Sequence, residues 1–180
     1  MEELRPGLWW WTAPHPDWKP EDAGPTGWDR DVSCYAVETG GAVVLVDPQA
    51  PPAELAERAV AVALTCEWHG RDARALALPV YEPGTEGAPP PGLEAKPLHY
   101  EHELAFWLPE HRALVFGDVV SVRDGRPGVN WGWIPAGGDP STIGPALRPL
   151  LELPVELLLT GHGPPVREDV HAALARALDG

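Results

Sequence analysis

The sequence has little cysteine, few basic residues and no long apolar run. A transmembrane helix needs about 18 or more consecutive apolar residues, so none is expected in this chain. The two cysteines, Cys34 and Cys66, are too few for a disulfide framework, and we expect both to be reduced. Residues 1–5 carry no apolar core of a signal peptide, which favours a cytoplasmic location.

Acidic residues outnumber basic ones, 27 to 13, so the net charge is −14. Such a surface repels phosphate groups, and neither nucleic acid nor a membrane is therefore expected as a partner. A small-molecule substrate is compatible with this charge, and a buried cation is easier to hold. The nine tryptophans allow an apolar interface, so the composition is consistent with a monomer or a homodimer.

Short apolar runs between Pro- and Gly-rich turns predict an α/β protein. No linker and no repeat of the 20–50 residue scale interrupts the pattern, which predicts a single domain over residues 1–180. The order of the elements favours two mixed β-sheets packed face to face with helices outside. Strands are expected at residues 8–12, 32–38, 42–46, 60–64, 78–81, 93–98, 104–108, 113–116 and 155–159, and helices at 52–58, 72–78, 139–150 and 170–178.

Several predicted strands end close to a side chain that can bind a metal. If these strand ends converge, they form a cluster whose imidazole and carboxylate groups suit zinc, iron or manganese. Glycines on both sides of one histidine let the backbone turn sharply and approach a ligand closely. The candidate ligands are Cys66, His69, His99, Asp118 and His162.

Four segments, in this order along the chain, resemble segments of the metallo-β-lactamase-fold hydrolases, the group that includes glyoxalase II. Residues 45–48, Leu-Val-Asp-Pro, resemble the strand of the family that ends in an aspartate. His99 precedes an apolar strand as the family's later histidine does. Residues 116–118, Phe-Gly-Asp, are similar to the segment with the bridging aspartate, and residues 160–163, Thr-Gly-His-Gly, to the closing Gly-His-Gly. The resemblance covers nearly the whole chain and implies a four-layer αββα sandwich with the site along one edge.

The motif that defines this family, Thr-His-x-His-x-Asp-His, is degenerate here. Residues 65–71 read Thr-Cys-Glu-Trp-His-Gly-Arg. In a strict alignment Cys66 and Trp68 replace the first two histidines, Gly70 replaces the aspartate and Arg71 replaces the last histidine. Tryptophan, glycine and arginine do not coordinate cations, so the usual dinuclear site is not expected.

The resemblance therefore implies a metal-dependent hydrolase with one divalent metal, which is zinc or else iron or manganese. His99, Asp118 and His162 would hold it, with His69 or Cys66 as a fourth ligand. The metal would generate hydroxide for attack on an ester, thioester or similar carbonyl. Asp118 would orient the water, and the carboxylates of Glu67 or Asp72 would replace the missing aspartate as proton acceptor.

Two alternatives stay open. The chain could have lost its metal and serve as a non-catalytic binding module, with Trp-rich loops as its contact surface. It could also be a metal-free hydrolase that uses Cys66 and His69. Cys34 is expected in the core, and Trp131 and Trp133 are expected to form a cavity wall. His15 is expected in a loop within reach of the cavity. Surface positions are expected for three other histidines, His102, His111 and His171.

Overall fold

A computed structural model of the protein describes residues 1–24, 27–98, 101–131, 133 and 139–179. Three α-helices form, α1 (Ala53–Ala56), α2 (Ile143–Leu147) and α3 (Val170–Asp179). Short 3₁₀ turns include Glu67–Gly70 and Ala73–Leu76. The strands are β1 (Glu2–Arg5), β2 (Leu8–Pro14), β3 (Asp31–Thr39), β4 (Ala42–Val46), β5 (Ala59–Ala63), β6 (Val80–Tyr81), β7 (Glu94–Pro97), β8 (Leu104–Leu108), β9 (Ala113–Phe116), β10 (Val120–Arg123), β11 (Arg126–Val129) and β12 (Leu157–Thr160).

The strands form two mixed sheets and one separate hairpin. The first sheet has the order β1-β2-β3-β4-β5-β6, in which β4, β5 and β6 are parallel to one another. The second sheet has the order β12-β9-β8-β7, in which β12 and β9 are parallel. The hairpin consists of β10 and β11.

Alternate residues of the central strands face different apolar layers, as the two-residue period of a strand requires. In β4, Val44 and Val46 belong to the cluster between the two sheets, whereas Val43 and Leu45 pack on the outer side with Leu55 of α1. Strand β9 repeats the pattern on the second sheet, whose outer face is covered by α2 and α3. Both faces of each sheet are thus covered, and the predicted four-layer αββα sandwich is confirmed.

The two sheets are joined at one edge by buried hydrogen bonds. The hydroxyl of Tyr35 on β3 donates to the carbonyl of Thr160 at 2.8 Å and accepts from its N–H at 3.0 Å. Next to this contact, the N–H of Ser33 donates to the carbonyl of Gly161 at 2.9 Å. Because the C-terminal ends of β4, β5, β9 and β12 lie at this edge, the loops that follow them meet there.

Some elements differ from the prediction. The helix predicted over residues 139–150 is split into 3₁₀ turns around the short α2, because Pro149 has no N–H to continue a helix. The helix predicted over 72–78 is one 3₁₀ turn. Strands β10 and β11 lie in a segment predicted as loop, because residues 123–128 contain no apolar run. Among the described residues, no helix combines the length and apolar character needed to cross a membrane.

Candidate metal centre

The loops that follow four strands bring polar side chains together at the joined edge of the sheets. Asp47 follows β4, His69 lies in the 3₁₀ turn after β5, Asp118 follows β9 and His162 follows β12. Asp47, His69 and His162 are buried, and Asp118 is mostly buried. The convergence of strand ends expected from the sequence therefore occurs for His69, Asp118 and His162, and Asp47 joins them. His99 lies outside the described residues.

Asp118 is the centre of the cluster. Its Oδ1 atom lies 3.2 Å from Nε2 of His69 and 3.2 Å from Nε2 of His162. Its Oδ2 atom accepts a hydrogen bond of 2.6 Å from the indole nitrogen of Trp68. Burial favours the neutral acid, but the two histidines, His69 first, outweigh it and hold the pKa of Asp118 well below its usual range. Asp118 is therefore an anion throughout the neutral range.

His69 lies between two carboxylates. Its Nδ1 atom is 3.0 Å from Oδ2 of Asp47 and 3.1 Å from the hydroxyl of Thr65, and its Nε2 atom faces Asp118. Asp47 also accepts from the N–H of Thr65 at 2.8 Å, which fixes the carboxylate behind the ring. Burial lowers the pKa of His69, but Asp118 and Asp47 prevail and raise it to about 9. The raised pKa favours a protonated ring for His69 in the protein without metal, with a carboxylate group on each side.

The 3₁₀ turn and its two flanking residues carry the side chains of the degenerate motif. Cys66, His69 and Asp118 place one donor atom each within 4.8 Å of one another. Trp68 and Arg71, together with His69, line the neighbouring cavity.

Cys66 is fully buried against the backbone after β9. A Cβ atom on Gly117 would lie 2.4 Å from its sulfur, so this close approach requires glycine. Burial, together with the carboxylates of Glu103 and Asp118, raises the pKa of the Cys66 thiol well above its usual range. The thiol is thus a poor nucleophile in the metal-free state, and the geometry does not favour a metal-free Cys66–His69 hydrolase.

Glu103 is a buried residue of the site that the sequence analysis did not identify. Its carboxylate accepts hydrogen bonds of 2.8 Å from the N–H groups of Asp118 and Val119. Burial, and then Asp118, raise the pKa of Glu103 to about 7. Glu103 therefore holds the backbone of the central aspartate. Its position directly before the apolar strand β8 was the only signal of burial in the sequence.

Strand β10 positions His162. The N–H of Val122 donates to the carbonyl of His162 at 2.9 Å. A Cβ on Gly163 would lie 2.0 Å from the carbonyl oxygen of Val122, and Gly163 has a φ of +98°, so only glycine fits there. Nδ1 of His162 is buried and has no hydrogen-bond partner among the described residues.

Two pairs of donor atoms have the separation that a shared divalent cation would give them. In tetrahedral coordination with bonds of about 2.0–2.1 Å, adjacent ligand atoms lie about 3.3 Å apart. The distances of 3.2 Å from Asp118 Oδ1 to the two imidazole nitrogens match that separation. A set of two imidazoles, a carboxylate and the Cys66 thiol suits zinc or iron better than magnesium or calcium.

A cavity of about 610 Å³ opens beside the cluster. The rings of Trp28 and Trp133 meet the ring of His162 edge-on, with centroids 5.5 and 5.2 Å away. Of the two tryptophans predicted to form a wall, Trp133 lines this cavity, whereas Trp131 lines a separate groove. The cavity is lined by His15, Pro16, Asp17, Trp28, Trp68, His69, Arg71, Asp118, Trp133 and His162.

Glu67 and Asp72 are not among the described residues that line this cavity. Glu67 is exposed and pairs with Nδ1 of His102 at 2.8 Å. Asp72 accepts hydrogen bonds from Gln49 and from the N–H of Ala50, and so ties the loop after β4 to the turn. Proton transfer by either carboxylate stays a prediction that their positions do not favour.

The other histidines and Cys34 have clear positions. His111, expected at the surface, is buried, because Arg5 binds its carbonyl and the hairpin packs it against Gly7. His171 is exposed, and Cys34 is buried in the core as expected.

No family model matches the sequence, and no curated protein matches it. Similar solved structures share the fold. A metallo-β-lactamase family protein from Thermus thermophilus is 18% identical with a TM-score of 0.60, over 98% of this chain and 80% of that chain. TTHA1623 in a di-iron-bound form is 25% identical with a TM-score of 0.62, over 87% of this chain and 96% of that chain. A metallo-β-lactamase from Pontibacter korlensis is 14% identical with a TM-score of 0.68, over 99% of this chain and 98% of that chain.

Proposed function

We propose that this protein, which has the metallo-β-lactamase fold, is a metal-dependent hydrolase with a single-metal site. The observation that carries the proposal is the position of Asp118, whose buried carboxylate oxygen lies 3.2 Å from the Nε2 atoms of two histidines. Potential ligands that meet at strand ends of such a sandwich fit a metal better than they fit an ordinary polar turn.

The proposed ligands are His69, Asp118 and His162, with Cys66 as the fourth. His99 stays a predicted ligand. Zinc is the expected metal, with iron or manganese as alternatives. TTHA1623, one of the similar structures, holds two irons. A second ion is not expected here, because Trp68, Gly70 and Arg71 stand where the family motif has ligands.

The cation, when bound, would supply Lewis-acid chemistry that lowers the pKa of a water and polarises a carbonyl oxygen. The chain positions the groups around it. Asp47 holds Nδ1 of His69, so that Nε2 is directed at Asp118. Of the two carboxylates that line the cavity, Asp17 is exposed, whereas Asp118 is mostly buried and can orient a water. Trp28, Trp68 and Trp133 limit the access of bulk water.

The substrate is proposed to be a small ester or thioester-like molecule, because the cavity has the volume of a small-molecule site. The net charge of −14 argues against nucleic acid and anionic membranes. The cytoplasmic location and the monomeric or homodimeric state stay predictions from the sequence.

Metal analysis tests the proposal. The protein is purified without chelators, incubated with zinc, iron or manganese, and analysed for bound metal and for hydrolysis of nitrophenyl esters and thioesters. We expect about one metal per chain, and loss of both metal and hydrolysis in His69→Ala and Asp118→Ala. His171→Ala is the matched control, because His171 is exposed on α3 and should leave both unchanged. If none of the three metals binds the wild type, the proposal is wrong.

One observation favours the second candidate, a non-catalytic module without metal. The Trp68 indole and the His69 imidazolium already satisfy both oxygens of Asp118. The carboxylate of Asp118 is therefore hydrogen-bonded without a metal ion. A wild-type protein that folds stably, takes up no metal and hydrolyses none of the test substrates would establish this function in place of the first.

A further inference from the structure

We propose that Arg71 is an anion-binding residue of the cavity, and that the ligand carries a carboxylate or phosphate group on an apolar body. Where that ligand is taken to be the substrate, the inference rests on the proposed function and specifies its substrate class. The binding of the anion itself requires neither metal nor turnover.

Arg71 lines the cavity, and its guanidinium is incompletely paired. Its Nε and Nη1 atoms are buried, and neither has a hydrogen-bond partner among the described residues. A buried donor without an acceptor is costly, and the cost is greater for a charged group. A ligand anion would supply the missing acceptors, since the planar guanidinium matches carboxylate and phosphate oxygens.

The other charged groups of the cavity do not neutralise Arg71. Asp118 is engaged by His69, His162 and Trp68. Asp17 is exposed, so water screens its charge. A protein with a net charge of −14 thus keeps, within the part of the chain that the structure describes, a positive charge without a carboxylate partner at this cavity.

The protonation state of His15 agrees with a positive charge on Arg71. Burial, and then the charge of Arg71, lower the pKa of His15, so its ring is neutral at neutral pH. Its Nδ1 accepts from the N–H of Asp17 at 3.1 Å, which leaves Nε2 as the protonated nitrogen. The neutral ring of His15 therefore offers a further hydrogen-bond donor to a ligand, while Arg71 supplies the positive charge.

Sequence and shape agree on the kind of ligand. Arg71 stands where the family motif has its last histidine, so a positively charged guanidinium group takes the place of a metal ligand. Trp28, Trp68 and Trp133 provide flat apolar walls in the same cavity, whose volume of about 610 Å³ accommodates a small molecule. An anionic group on an aromatic or other apolar body fits both features.

One buried acceptor is a competitor for Arg71. Oε1 of Gln49 also has no partner among the described residues, and Gln49 donates to Asp72, the residue after Arg71. A guanidinium that paired with Gln49 in solution would bind no ligand. Ligand titration distinguishes these two possibilities.

The test compares matched ligands that differ in charge. Phenylacetate, phenyl phosphate and the neutral phenylacetamide are titrated by calorimetry and by tryptophan fluorescence, with zinc and again with a chelator. We expect at least one anion to bind about ten- to a hundredfold more tightly than the amide under both conditions, the range for a charge-assisted hydrogen bond. A preference for only one of the two anions identifies the group that the site takes.

Variants assign the effect to Arg71. Arg71→Ala should bind anion and amide equally. Arg71→Lys should keep part of the preference for the anion, and it provides the test if the alanine variant fails to fold. Arg74→Ala is the control, because Arg74 has the same charge, lies three residues away and is exposed. Equal binding of anions and amide by the wild type, or a preference that survives in Arg71→Ala, would overturn the inference. Loss of metal binding or hydrolysis alone would overturn the proposed function and leave this result intact.

Discussion

The affinity for zinc should rise steeply with pH, because the metal has to displace protons from its ligands. The pKa of His69 is raised to about 9, so this ring is protonated at neutral pH and each zinc that binds releases one proton from it. Burial also keeps the Cys66 thiol protonated, and coordination would release a second proton. Asp118 releases none, since its pKa lies well below its usual range.

The slope of affinity against pH therefore counts the protonated ligands. With His69 alone, the apparent affinity rises about tenfold per pH unit below pH 9. If Cys66 also binds, as we expect, it rises about a hundredfold per unit. A range from about pH 7.5 to about pH 8.5 lies above the titration of Glu103, whose pKa is about 7.

The assay is competition for zinc against a chromophoric chelator at constant ionic strength, with proton release measured in weakly buffered solution. Cys66→Ser should reduce the slope from two protons to one, and His69→Gln should also remove one. An affinity that does not change over this range, or a slope that is the same in both variants as in the wild type, would refute the reasoning.

Two further predictions concern stability without metal. Gly117→Ala should destabilise the fold by about 1–3 kcal/mol in urea unfolding, since its Cβ would lie 2.4 Å from the Cys66 sulfur, whereas Gly128→Ala, with open space around it, should have little effect. The pKa of His69 rises from 6.5 to about 9 on folding and that of Glu103 from 4.5 to about 7, so both stabilise the fold at low pH and lose their contribution as pH rises through the folded values. The free energy of unfolding, measured in the presence of chelator, should therefore fall between about pH 5 and about pH 9, by about 3 kcal/mol from His69 alone. Glu103→Gln should remove the part of this fall that occurs below about pH 7. A free energy of unfolding that rises with pH over this range would contradict both assignments.

The layers of the fold were predictable because they depend on local patterns. Strands β4, β8 and β9 are short apolar runs whose alternate residues are covered on both faces, so each run could be located to the residue or nearly so. The hairpin of β10 and β11 was not predictable from pattern. Its strands contain Arg, Pro and Gly; they pair with each other, and Val122 of β10 also bonds the chain at His162.

The candidate site was predictable as a set of strand ends but not as a set of contacts. The sequence indicated that His69, Asp118 and His162 follow strands that end at one edge. It did not indicate that Glu103 supports Asp118, since its position before the apolar strand β8 suggests burial but not the partner that it binds. Its burial follows from the backbone donors that meet it at the end of β9.

The degenerate motif shows most clearly which properties are local and which are tertiary. Residues 65–71 alone establish that Trp68, Gly70 and Arg71 cannot bind a second metal, because coordinating ability belongs to the side chain itself. Which side chains reach the cluster was decided by the folded loop, because there the donor atoms of Cys66 and His69 lie within 4.8 Å of Asp118, while Trp68 and Arg71 line the cavity. The charge of His69 was decided by Asp47 and Asp118, from two other loops, because only the folded chain brings carboxylates to both nitrogens of a buried ring.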